Sequence, residues 1–99
     1  MTEVAVQKLA DQLKALGEFN RLSLVYRLCQ CSAPQNTMCL CSCCSVDSSV
    51  VSRHLKVLAE QGVVSLEKRG RERIYSLNRE SVAKSLRELA DAIDSETSN

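Results

Sequence analysis

Residues 47–62, DSSVVSRHLKVLAEQG, constrain the fold more than any other stretch of the chain. Val51, Leu55 and Leu58 recur at i, i+4 and i+7, which is one apolar stripe of an α-helix. Asp47 stands where an N-cap is wanted and Gly62 where a helix is stopped, so the spacing predicts a helix over 48–61. The opposite face carries Ser49, Ser52, Arg53 and Lys56, all polar or basic. A shorter helix over 37–44, capped by Asn36 or Thr37, precedes it across a tight turn. Two short helices joined this way, the second showing an exposed basic face, follow the plan of a helix-turn-helix.

The flanking segments narrow the class. Val63, Val64 and Leu66 read as one strand, and Ile74, Tyr75 and Leu77 as another. Between them Lys68-Arg69-Gly70-Arg71 is a glycine-containing hairpin tip with three cations. Upstream, Val6, Leu9, Leu13 and Leu16 stripe a helix over 3–16 that Gly17 closes. A second helix over 18–30 places Leu22, Val25, Tyr26 and Cys29 on one face, and Pro34 marks the loop after it. Asn78 caps a last helix striped by Val82, Leu86, Leu89 and Ile93, and the polar tail from about 95 to 99 is expected to fray. Four helices, a basic hairpin and a helix make a winged helix. The expectation is an α+β, mostly helical single domain over 1–99, with a two-stranded β-hairpin wing. The stripes of the first and last helices exceed what so small a core can use, so they are a candidate homodimer surface.

Charge is nearly balanced, 13 basic against 12 acidic residues, so bulk electrostatics does not announce a nucleic-acid partner and local placement must. The cations so placed are Ser52's neighbours Arg53 and Lys56 on the helix, for the major groove, and Lys68, Arg69, Arg71 and Arg73 on the wing, for phosphates or the minor groove. Ser49 and Ser52 complete the helix face. No apolar run approaches the roughly 18 residues needed to span a bilayer, so no membrane partner is expected. The first residues, MTEVAVQKLADQLKAL, lack the pattern of a secretion signal, which points to a reducing, cytoplasmic setting.

Six cysteines in that setting point to metal ligands or redox sensors over crosslinks. Four of them, Cys39, Cys41, Cys43 and Cys44, form a C-x-C-x-C-C run, and a helix cannot bury that many consecutive directions. Soft thiolates select thiophilic ions: three suit trivalent arsenic or antimony, four suit tetrahedral zinc or cadmium, and mercury also qualifies. At about 100° per residue, Cys39 and Cys41 lie on nearly opposite sides of a helix with Cys44 between. One ion therefore holds all three only by distorting that helix, and with it the placement of the next. Oxidation of neighbouring thiols to a disulfide would distort it equally, so a redox- or sulfur-species-sensing repressor is an alternative. Cys29 and Cys31 are open between a fourth ligand or resolving thiol and an idle pair. His54 has no second histidine to partner it and reads as a packing or hydrogen-bonding residue. No glycine-rich phosphate loop or oriented nucleophile is present, so no enzyme is expected. A small metal-buffering protein is a further alternative, but it has no use for cations around a glycine turn.

VVSRHLKVLAEQGVV followed by KRGRERIYSL resembles the recognition helix and wing of the ArsR/SmtB family of metal-responsive repressors, and LKALGEFNRLSLVYRL resembles the first two helices. The likeness runs from about residue 9 to residue 93. It implies a homodimeric bacterial repressor that binds a palindromic operator on double-stranded DNA and leaves it when metal or metalloid binds. Arsenic sensors of the family carry C-x-C-x-x-C at the start of the helix before the recognition helix, and Cys39, Cys41 and Cys44 reproduce that spacing. The resemblance thus implies trivalent arsenic or antimony as the inducer. Other members hold zinc or cadmium between their last helices with histidine and acids. Here the last helix has Asp91, Asp94 and Glu96 without histidine, so that site is not expected.

Overall fold

A computed structural model describes residues 1–31, 33–41 and 47–95, with Met38 by its backbone alone. In chain order the elements are α1 (Glu3–Leu16), α2 (Phe19–Gln30), β1 (Gln35–Asn36), α3 (Thr37–Cys41), α4 (Ser48–Glu60), β2 (Val64–Arg69), β3 (Glu72–Leu77) and α5 (Arg79–Asp94). The expected helix over 37–44 is described as far as Cys41. Its remainder, the turn into α4, and the tail beyond Ser95 lie outside the described residues.

α4 is the centre of the fold. Val51, Leu55 and Leu58 are fully buried and pack with Leu24, Leu28 and Leu40 from α2 and α3. The helix ends in a Schellman motif: Gly62 N–H donates to Ala59 O at 3.1 Å and Val63 N–H to Leu58 O at 2.9 Å. Gly62 takes φ 73°, the left-handed conformation that a side chain resists. The motif delivers Val63 into the core beside Leu58 and starts β2 one residue later. At the other end Asp47 occupies the N-cap position, but it caps by its backbone carbonyl and no side-chain capping bond forms.

The sheet has one strand more than the sequence suggests. β2 and β3 form the hairpin, with Arg69 opposite Glu72 across a two-residue Gly70–Arg71 turn. Gly70 has φ 62° and Arg71 does not share it, the type II′ pattern that suits hairpin twist. On the far edge β1 pairs antiparallel with β3, Gln35 opposite Tyr75 and Asn36 opposite Ile74, giving the order β1-β3-β2. Two residues after a proline loop carry no period that a sequence reading can find. Asn36 also caps α3, accepting from Cys39 N–H at 2.8 Å. Asn78 precedes α5 as expected, yet its side chain is spent elsewhere: it donates to Gly62 O at 2.8 Å and accepts from Ser65 Oγ at 2.7 Å. It thereby locks the base of the wing to the end of α4.

The apolar stripes of the outer helices are shifted from the expected ones. α1 buries Leu9, Gln12, Ala15 and Leu16 and leaves Val6 and Leu13 exposed. α2 buries Leu24, Val25 and Leu28, whereas Phe19, Leu22 and Tyr26 are exposed. α5 buries only Val82, with Leu86 and Ile93 exposed. The radius of gyration is 15.0 Å, above the approximately 13 Å of a compact 100-residue domain.

Leu55→Ala removes a fully buried side chain from the contact on which α4 rests. Urea unfolding followed by circular dichroism is expected to show a loss of about 2–5 kcal/mol.

Candidate nucleic-acid interface and thiol segment

The core stripe of α4 turns its other face outward, so Ser49, Arg53 and Lys56 are exposed and Ser52 is half-buried. The wing stands beside that face. Ser52, Arg53 and Lys56 from α4 line one groove with Lys68 and Arg73 from β2 and β3. Lys68 and Arg73 are direct cross-strand partners on that surface. Like charges opposite each other destabilise a sheet, a repulsion that an anionic surface would relieve. Across the groove floor lie Leu66 and Tyr75, the latter buried.

The other predicted wing cations are placed differently. Arg69 donates to both carboxylate oxygens of Glu67, at 2.9 and 3.2 Å, on a fully solvated surface. That pairing holds the Glu67 carboxyl below its ordinary value and the guanidinium above its own. Arg71, at the tip, borders a separate cleft with Asn36, Thr37 and Arg73. Ser49 does not line the groove. The structure thus gathers five of the eight predicted contact residues and leaves Ser49, Arg69 and Arg71 around them.

α3 carries the thiols. Its Leu40 is fully buried against α4, while Cys39 on one side is exposed and Cys41 on the other is half-buried against the core. Cys44 and Cys43 lie outside the described residues. Among the described residues no three His, Cys, Asp or Glu side chains gather as a metal site. The two described donors, Cys39 and Cys41, are thiols, the donor type that thiophilic ions take, and they flank Leu40 on α3. Cys29 is exposed at the end of α2, and the Cys31 thiol donates to Arg27 O at 3.2 Å.

Two polar clusters escaped the sequence reading. Arg79 opens α5, a position where the helix dipole disfavours a cation. Its guanidinium donates to Leu28 O at 2.9 Å, Cys29 O at 3.3 Å and Cys31 O at 2.7 Å, closing the carbonyl end of α2. The second cluster joins Glu18, Arg21 and His54. Glu18 caps α2 by accepting from Arg21 N–H at 3.0 Å, and its carboxylate lies 3.6 Å from His54 Nε2. Burial alone would raise the Glu18 carboxyl. The Arg21 and Asn20 backbone N–H groups, with His54 and Arg21 beside them, outweigh this and hold it below its ordinary value. No periodicity marks either cluster, since each depends on residues brought together by packing.

A helix-turn-helix whose second helix shares a cationic groove with a β-hairpin defines a winged-helix, DNA-binding regulator of transcription, and such proteins are not enzymes. No protein-family model matches the chain. It is 33% identical over 80 residues, 78% of this chain and 72% of the relative, to the arsenical resistance operon repressor of Bacillus subtilis strain 168. A crystal structure of a possible transcriptional regulator for arsenical resistance superposes with a TM-score of 0.72 at 36% identity, covering 84% of this chain and 83% of that one. The solution structure of a homodimeric winged helix-turn-helix domain from Mycobacterium bovis gives a TM-score of 0.72 at 20% identity, over 95% and 88% of the two chains. The chain belongs to the ArsR/SmtB family of winged-helix transcriptional regulators.

Glu18→Gln is expected to weaken the fold at neutral pH and to matter less as pH falls. A carboxyl held below its ordinary value contributes stability that is complete above that ordinary value and lost as pH drops through the lowered one. Urea midpoints of the two proteins should therefore converge on acidification.

Proposed function

We propose that this protein is a homodimeric repressor that holds operator DNA through α4 and the wing and releases it when a thiophilic ion binds Cys39, Cys41 and Cys44. Trivalent arsenic or antimony is the expected inducer, with cadmium, zinc and mercury as the other soft candidates. The observation that carries the reading is the groove joining Ser52, Arg53 and Lys56, on the helix that follows the thiol helix in the chain, to Lys68 and Arg73 on the wing. The B. subtilis relative, a repressor of an arsenical resistance operon, supports both the DNA partner and the class of inducer.

The lever follows from how α3 is held. Leu40 is its anchor in the core and Asn36 its cap, and Asn36 is at once a sheet partner of Ile74 in the wing. Drawing Cys39 and Cys41 to one centre requires α3 to unwind, which pulls on Leu40 and on Asn36 together. α4 and β3 both pack on α3, so recognition helix and wing would lose their common alignment. The ion needs only to favour the rearranged state over the DNA-competent one. Ser49, Arg69 and Arg71 would serve as phosphate contacts around the groove.

A second copy of the chain accounts for α5 and the outward face of α1. Val4, Val6, Leu86 and Ile93 are exposed, and a helix with one buried residue does not hold itself in water. The M. bovis neighbour is a homodimer of this architecture. The two recognition helices of a dimer would read half-sites about one helical turn, roughly 34–36 Å, apart.

Reduced protein and the duplex upstream of its own gene, followed by fluorescence anisotropy under oxygen-free conditions, test the reading. Arsenite or antimonite at near-stoichiometric levels should release the DNA. Cys41→Ser should bind as before and ignore the ion, and a variant still released would remove Cys41 from the mechanism. Release by mild oxidant but by no ion would favour the redox repressor instead. Ile93→Glu should give a monomer by light scattering and lower operator affinity at least tenfold, about 1.4 kcal/mol or more.

A further inference from the structure

Cation placement does not explain what sets the rotation of α4 about its own axis. The apolar contacts of Val51, Leu55 and Leu58 fix which face of the helix is buried, but such contacts are non-directional and leave the fine angle open. Directional contacts are needed to fix the angle at which Ser52, Arg53 and Lys56 meet DNA. Among the described residues, His54 is the α4 side chain that makes a polar contact with another element.

That contact draws on three elements. Arg21 NH1 lies 3.4 Å from His54 Nδ1. A guanidinium can only donate, so Nδ1 is the acceptor in this contact, and Nε2 faces Glu18 Oε2 at 3.6 Å. Arg21 also donates through Nε to Ala15 O and through its other amino group to Lys14 O at 3.5 Å, in the last turn of α1. Glu18 is meanwhile the N-cap of α2. The end of α1, the start of α2 and one side of α4 therefore meet at His54, whose side chain is only 16% exposed.

We propose that His54 is a positioning residue for sequence reading: the Glu18–Arg21–His54 cluster sets the rotation of α4 and so aligns its groove-facing side chains with base edges. The inference rests on the assignment of α4 as the DNA-reading helix. A rotation of about 10° at a side-chain radius of 5–6 Å moves a tip by roughly 1 Å. A base-edge hydrogen bond, confined to about 2.7–3.2 Å, does not survive that displacement. A lysine or arginine reaching a phosphate follows it. Losing the cluster should therefore cost specificity and spare the electrostatic part of binding.

The experiment compares the full chain with His54→Leu, His54→Gln and Glu18→Gln on two duplexes of equal length, the one upstream of its own gene and a random sequence, across a salt series. Leucine preserves bulk without polar contacts. Glutamine can still accept from Arg21 and donate to Glu18. For His54→Leu the ratio of specific to random affinity should fall about tenfold, the scale of a lost base contact. Its random-duplex affinity and salt slope should match the parent. His54→Gln should keep most of the ratio, and Glu18→Gln, which leaves α4 untouched, should lose part of it. An unchanged ratio for both His54→Leu and Glu18→Gln overturns the proposal. So does a parallel loss on both duplexes, or an equal loss for leucine and glutamine, since these mark general loosening or shape alone. A parent that binds the two duplexes alike overturns the DNA-reading assignment itself. That result is separable from the others because it appears without any substitution.

Discussion

Burial of Leu55 and Leu58 against Leu24, Leu28 and Leu40 is the contact from which the rest of this molecule is arranged. It makes α4 a helix with one face committed to the core, which forces Arg53 and Lys56 outward. It also decides where the chain goes next. The Schellman turn at Gly62 places Val63 beside Leu58 and launches β2 at a fixed angle to α4. Asn78 then ties the returning end of the hairpin to Gly62 O. The groove between helix and wing is thus closed at its base by backbone geometry, and its cations inherit their positions from that closure.

The same core contact joins the thiol-bearing α3 to α4. Leu40 lies between Cys39 and Cys41 in α3. A side chain that is buried completely transmits movement because a packed interior has few voids to absorb it. Asn36 adds a second route, since it caps α3 and pairs with the wing strand.

Polar contacts fix what apolar packing leaves loose. Arg79 binds three carbonyls at the end of α2 from the first turn of α5. Glu18, Arg21 and His54 bind α1, α2 and α4 at one corner. Both clusters cross between elements far apart in sequence. They tie α5, with its largely exposed stripe, and α4, with its groove-lining side chains, to α2.

The sequence by itself determined the element order, the hairpin with its glycine turn, the core stripe of α4 and the basic character of its other face. These follow from local period and local turn chemistry, which neighbours along the chain are sufficient to specify. The tertiary structure alone decided which of the striped residues are inside. Val6, Leu13, Leu22 and Tyr26 satisfy helical periodicity as well as Leu9, Leu24 and Leu28 do, but only the latter are buried. Periodicity identifies an apolar face without saying whether this chain or another covers it. Tertiary structure likewise decided that Lys68 and Arg73 share the groove while Arg69 is held by Glu67, because strand register sorts alternate residues to opposite faces. It decided too that β1 joins the sheet, that Asn78 serves the wing base in place of α5, and that His54 meets Arg21 across 33 positions. Those choices rest on distances between segments, and a linear pattern carries no information about them until the core has closed.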